Sequence, residues 1–208
     1  MTLMVVLTWG FQMFLAGMPM LLVICIVALA PLGLVVAYFT LGHVHKRINQ
    51  FWEGGAWQVE KARDSFANGG LFGVGPGDGR VKHHLPDAHS DFIFAVAGEE
   101  FGALACLTLL TLYAFIVLRG FSRAMSDEGL FCLIASASLL LQFGVQAAIH
   151  MASSVHLIPT KGMTLPLISY GGSSLVASGL TMGLILALTR RRAPYVLPGR
   201  RNLQEALS

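Results

Sequence analysis

The chain has 208 residues, of which 55% are hydrophobic and only 12% charged, with a formal net charge of +3 and a mean hydropathy of +0.68. That balance excludes a conventional soluble domain, and nothing in it calls for a nucleic-acid partner; it is the composition of a polytopic membrane protein. Three cysteines, Cys25, Cys106 and Cys132, all fall in apolar runs, where they act as small hydrophobes and form neither a disulfide framework nor a zinc spacing.

Helices rise about 1.5 Å per residue, so apolar runs of roughly 17 to 25 residues can cross a hydrocarbon layer of about 30 Å. Five segments meet or approach that length: Leu3 to Met18, Met20 to Leu41, Phe92 to Leu118, Gly129 to Ile149 and Ser173 to Thr189, with Pro19 between the first two. The expected fold class is all-α, a polytopic helical bundle of about five spans, forming one transmembrane domain over residues 1–208. The first run lacks the basic flank that fixes a leading helix, which reads as a chain missing an N-terminal part.

Two connections carry the polar residues. The long one, residues 42–91, holds the glycine run Asn68-Gly-Gly-Leu-Phe-Gly-Val-Gly-Pro-Gly-Asp-Gly-Arg80 and the aromatics Phe51, Trp52, Trp57, Phe66 and Phe72. Those aromatics suit a loop lying on the headgroup layer. The glycines lack the Gly-Lys-Ser/Thr ending of a phosphate loop and follow no parallel strand, so a tight turn is the expected reading. The shorter connection, 151–172, is interrupted by Pro159, Pro166 and several glycines, as in a re-entrant element. Irregular backbone of this kind survives at membrane depth only when buried in protein or lining a wet cavity.

Basic residues divide seven to seven between the two sides. Arg119, Arg123, Arg190, Arg191, Arg192, Arg200 and Arg201 are compressed beside helix ends, the placement that marks a cytoplasmic face. The C-terminus, with a tail over 193–208, is therefore expected inside and both polar connections outside. Basic residues such as Arg47, Lys82 and Lys161 then stand outside, where they suit an anionic partner.

At the end of the long loop, Leu85-Pro-Asp-Ala-His-Ser-Asp-Phe-Ile-Phe-Ala places Asp91 where polar loop becomes apolar helix. On local grounds Ser90 and Asp91 are helix caps. Glu99 and Glu100 follow on the same helix, where a carboxylate needs a partner such as Arg47 or Lys161, or a role in anchoring the loop.

The stretches Arg47-Ile-Asn-Gln-Phe, Gly69-Gly-Leu-Phe-Gly, the Asp91 motif with Gly98-Glu-Glu-Phe-Gly, and Pro159-Thr-Lys-Gly-Met-Thr-Leu-Pro-Leu-Ile-Ser-Tyr-Gly-Gly-Ser-Ser together resemble the SEDS family (shape, elongation, division and sporulation) of bacterial cell-wall synthases. The match runs from about Phe14 to Arg192 and covers only the C-terminal half of that fold. The Pro-Thr-Lys-Gly form with Lys161 is closer to the FtsW-type division branch than to the RodA-type elongation branch.

The resemblance implies a peptidoglycan glycosyltransferase of the cytoplasmic membrane that polymerises lipid II, working with a class B penicillin-binding transpeptidase and other division proteins. It carries the catalytic aspartate onto Asp91, leaves capping to Ser90, and points to Arg47, Lys82, His89, Lys161, Ser169 and Tyr170 as substrate contacts. His150 stands where many relatives carry asparagine. A divalent cation, magnesium or manganese, held by Asp91 and the leaving pyrophosphate is compatible with this chemistry, although no paired aspartates accompany it; no organic cofactor is expected. Two other classes stay open: a lipid-precursor flippase, which would bring ionisable groups to mid-membrane, and a noncatalytic division scaffold.

Overall fold

The computed structural model describes residues 2–19, 57–81, 88–126, 129–158 and 162–190, with scattered positions between 21 and 49. Among the described residues the regular structure is helical: α1 (Thr2–Leu15), α2 (Trp57–Gly69), α3 (Ile93–Ala124), α4 (Leu130–Ser154) and α5 (Gly172–Leu188). The expected span Met20 to Leu41 and the tail over 193–208 lie largely or wholly outside the described residues.

Helices α3 and α4 are each long and apolar enough to cross a membrane. They form a hairpin in which small residues admit close packing: a β-carbon on Gly144 would lie 3.0 Å from the Val117 side chain. Leu140 is fully buried in this seam, and Tyr113 stacks on Phe143 at 5.5 Å between ring centroids. Helices α1 and α5 flank α4.

The sequence reads Phe92 to Leu118 as one uninterrupted span, but α3 breaks at Gly102, whose φ of 79° and ψ of −179° are non-helical. A break leaves carbonyls and N–H groups unsatisfied on its two sides. The glycine run after α2 supplies the missing partners: Val74 and Gly75 donate N–H to the carbonyls of Glu99 and Glu100 at 3.0 and 3.1 Å, while Ala103 and Leu104 donate to the carbonyls of Gly70 and Leu71 at 2.9 and 3.3 Å. This clasp is the use of the glycines. At Gly102 a β-carbon would come within 2.5 Å of the Gly73 nitrogen, and φ is positive there as well as at Gly73.

Exposure changes sign at the break. Phe94, Ala95, Val96, Gly98 and Glu99 are buried, whereas Leu104, Leu107, Leu110 and Phe115 are exposed. The part of α3 beyond Gly102 runs for roughly six turns, enough by itself to cross about 30 Å of hydrocarbon. Its apolar surface is exposed among the described residues, as a membrane span requires, and the preceding turns belong to a protein cap.

That cap contains α2, a helix inside the segment expected to be a large external loop on the headgroup layer. Ala62, Ser65 and Gly69 are buried along one stripe with Phe66, at the spacing of a helix face. Phe66 joins two clusters: Ala62, Val81, Ala88 and Phe92 on one side, and Phe94, Cys106 and Tyr113 on the other. The start of α3, the end of α4 and the start of α5 thus meet at one end of the bundle, and the polar connections close over it.

Candidate active site

Asp91 lies in the turn preceding α3 and is partly exposed. Helix α3 starts at an N-cap of Phe92 with no side-chain capping bond, so the capping expected of Ser90 is not what begins this helix. The Ser90 backbone has a different task. Its carbonyl accepts from Ser169 Oγ at 2.7 Å, and the His89 carbonyl accepts from the Tyr170 N–H at 2.9 Å. These two bonds tie the Asp91 turn to the connection between α4 and α5.

Pro166 and the glycines keep residues 162–170 out of helix, so their carbonyls need partners from elsewhere. Side chains supply them. His150 Nδ1 meets the Met163 carbonyl at 2.6 Å, Gln146 Nε2 donates to the Thr164 carbonyl at 3.0 Å, and the Tyr113 hydroxyl donates to the Pro166 carbonyl. The segment then closes on itself: Ser169 N–H donates to the Leu165 carbonyl at 3.0 Å, and Leu165 N–H donates to Ser169 Oγ at 2.7 Å. Leu167, held between them, has a φ of 67°. A left-handed leucine costs roughly 1–2 kcal/mol and persists only where its surroundings dictate it.

The carboxylate faces this segment. A β-carbon on Gly162 would stand 3.1 Å from Asp91 Oδ2, so only a residue without a side chain fits at that distance without displacement. Gly162 also borders a cavity of about 320 Å³ between α1 and α4, lined by Val5, Thr8, Gln142, Gln146, Met163 and Thr164. A second cavity of about 380 Å³, between α4 and α5, shares Gln142, Gln146 and Thr164 and adds Ser173, Ser174, Ser178 and Thr181. The polar side chains lining both are uncharged hydrogen-bonding groups.

The remaining sequence-derived positions separate clearly. Ser169 is buried, with its hydroxyl engaged on both sides, while His89 is exposed and Tyr170 is 83% exposed. Glu99 is buried at 1% exposure, and its described partners are backbone groups rather than the expected Arg47 or Lys161: Oε1 accepts from the N–H groups of Arg80 and Val81 at 2.8 and 3.0 Å. It therefore anchors the loop to the helix. Glu100 contributes its carbonyl to the clasp around the α3 break. Arg47, Lys82 and Lys161 lie outside the described residues. Sequence reasoning missed Gln146 and His150 as supports of the 162–170 segment. Their signal was the spacing Gln142, Gln146, His150, three polar side chains four residues apart on an otherwise apolar helix.

A cation at Asp91 would find few protein ligands: among the described residues no group of three or more His, Cys, Asp or Glu is assembled. Most of its coordination would have to come from substrate and water.

A helical membrane bundle with a partly exposed carboxylate in the cap at one end, facing a glycine-walled segment beside a polar cavity, defines the class. The family model described as cell cycle protein, FtsW/RodA/SpoVE, matches residues 1–193, and the chain belongs to that family. It is 43% identical over 194 residues to a probable peptidoglycan glycosyltransferase FtsW of Caulobacter vibrioides, covering 92% of this chain and 50% of that protein. It is 34% identical over 176 residues to a probable FtsW of Geobacter sulfurreducens, covering 80% and 47%, and 35% identical over 163 residues to a peptidoglycan glycosyltransferase RodA of Mycobacterium leprae, covering 76% and 35%. A solved chain described under structural coordination of polymerization and crosslinking by a peptidoglycan synthase complex superposes with a TM-score of 0.68 at 26% identity, over 91% of this chain and 56% of that one. The chain spans about half the length of the first of these relatives.

Proposed function

We propose that this chain carries the acid–base centre of a peptidoglycan glycosyltransferase acting on lipid II, the undecaprenyl-pyrophosphate-linked disaccharide-pentapeptide, at the outer face of the bacterial cytoplasmic membrane. The observation that supports this reading most is the placement of Asp91: partly exposed, at the capped end of the bundle, held against Gly162 beside a polar cavity. Arg190 stands at the opposite end, just past α5, and further arginines follow it in sequence, which favours that end as the cytoplasmic one.

Glycan extension requires a sugar 4-hydroxyl oxygen to bond to the anomeric carbon of a second sugar, while the bond from that carbon to pyrophosphate breaks and the pyrophosphate departs with the electron pair. The hydroxyl is a weak nucleophile at neutral pH. Asp91 accepts its proton as the new bond forms, an effect of typically about 10² to 10⁴-fold. The two backbone ties from Ser169 and Tyr170 and the wall at Gly162 fix where that carboxylate stands, which is the positional part of the rate gain. His89 and Tyr170, both exposed, are proposed to contact the sugars, and Arg47, Lys82 and Lys161 the pyrophosphate. A divalent cation shared by Asp91 and the pyrophosphate would stabilise the departing charge.

The pairing of polymerization with crosslinking in the solved peptidoglycan synthase complex supports a crosslinking partner, for which a class B transpeptidase is proposed. The test is reconstitution of the protein carrying this chain in liposomes with such a transpeptidase and fluorescent lipid II. A ladder of glycan polymers is expected. Lipid II that crosses the bilayer unpolymerised would point to a flippase, and neither polymer nor transfer would leave the scaffold reading.

A further inference from the structure

We infer that His150 is a positioning residue for Asp91, a role that rests on the glycosyltransfer reading above. The ring is fully buried near the end of α4. A carbonyl oxygen can only accept, so Nδ1 carries the hydrogen in its 2.6 Å bond to Met163, and Nε2 is left buried with no hydrogen-bond partner. Ser153 and Ser154 hydroxyls both donate to the His150 carbonyl at 2.9 Å, which fixes the residue from its backbone as well.

The grip is transmitted over a short path. Met163 follows Gly162, the residue whose missing side chain makes room for Asp91 Oδ2. The ties at His89 and Ser90 hold the backbone of the Asp91 turn. The wall against the carboxylate itself is the Gly162–Met163 segment, and His150 holds that segment through the Met163 carbonyl. An apolar residue of similar size would fill the space but leave the Met163 carbonyl without this donor, and the wall would be free to shift. A displacement of about 1 Å in reacting geometry is worth about 10²-fold in rate.

Asparagine and leucine separate this role from simple filling. Both are branched at the γ-carbon and leave the same space, but asparagine places an N–H donor the same number of bonds from the backbone as Nδ1, and leucine has none. In the reconstituted polymerisation assay, His150→Leu is expected to lower kcat about 10 to 100-fold with KM for lipid II within about threefold, and His150→Asn to restore kcat to within about threefold of wild type. Deuterium uptake over residues 163–170, measured on the same preparations without substrate, is expected to accelerate at least about tenfold in His150→Leu and not in His150→Asn, because the N–H groups of Leu165 and Ser169 are bonded within the held segment and that of Tyr170 to the His89 carbonyl. Equal kcat for the two variants, or equal uptake, overturns the proposal. Should Asp91→Asn polymerise as well as wild type, the assignment of Asp91 as the base fails, while the uptake comparison still decides whether His150 holds the segment.

Discussion

Replacing Gly102 with alanine tests the clasp that joins the glycine run to the broken helix. Its backbone, with φ 79° and ψ −179°, lies in a region essentially reserved for glycine, where another residue costs about 1–3 kcal/mol. The new β-carbon would also sit 2.5 Å from the Gly73 nitrogen and 2.6 Å from the Leu71 carbonyl carbon, both backbone atoms that cannot rotate away. The loop must withdraw, stretching the four bonds that join Val74, Gly75, Gly70 and Leu71 to the helix ends. At about 1 kcal/mol each these bring the total loss to roughly 5 kcal/mol. For a chain of this size that is a fall of about 10–20 °C in apparent melting temperature. Gly77→Ala is the control, because φ there is +88° but nothing lies within 4 Å of the added carbon, so only the conformational part remains. Melting of the detergent-solubilised protein, followed by tryptophan fluorescence, should place Gly102→Ala at least about 6 °C below Gly77→Ala. Midpoints within about 2 °C of one another would show that the clasp carries no such energy.

Two further substitutions probe the cap and the site. Glu99→Ala removes the acceptor of the Arg80 and Val81 N–H groups and should destabilise by about 2–4 kcal/mol, whereas Glu99→Gln keeps an acceptor oxygen and should lose less than about half of that; equal melting points for the two would show that the loop is anchored otherwise. Gly162→Ala asks Asp91 Oδ2 to yield by a few tenths of an ångström from a 3.1 Å approach, so polymerisation should fall about tenfold while the melting temperature stays within about 2 °C of wild type; unchanged polymerisation would mean that the wall does not set the carboxylate.

The all-helical membrane bundle was legible because apolar runs long enough to span a bilayer leave little other choice, and the ends of α4 and α5 fall close to where hydropathy changes. The break at Gly102 was not legible in the same way. Hydropathy registers only that Phe92 to Leu118 is apolar, and the excess over one bilayer thickness was the available hint. Helix α2 was passed over because its buried face is made of small residues, Ala62, Ser65 and Gly69, which carry little hydrophobic signal although their spacing is helical. Asp91 and its neighbours His89 and Ser90 were found as a motif, and the structure brings them against Ser169, Tyr170 and Gly162. The partner of Glu99 could not be read from side-chain types, because it is a pair of backbone N–H groups nineteen and eighteen residues earlier. Gly162 carries no signal of its own in the sequence, since a glycine announces its role only when its neighbour is known.

The most direct measurement compares polymer made from fluorescent lipid II by wild type, Asp91→Asn and Asp91→Glu in the same liposomes. Asparagine keeps the size and hydrogen bonding of the side chain but cannot take a proton, so its polymer yield should fall by at least about 10²-fold, with glutamate retaining a measurable fraction. Polymer from Asp91→Asn at the wild-type rate would contradict the assignment of this carboxylate as the base.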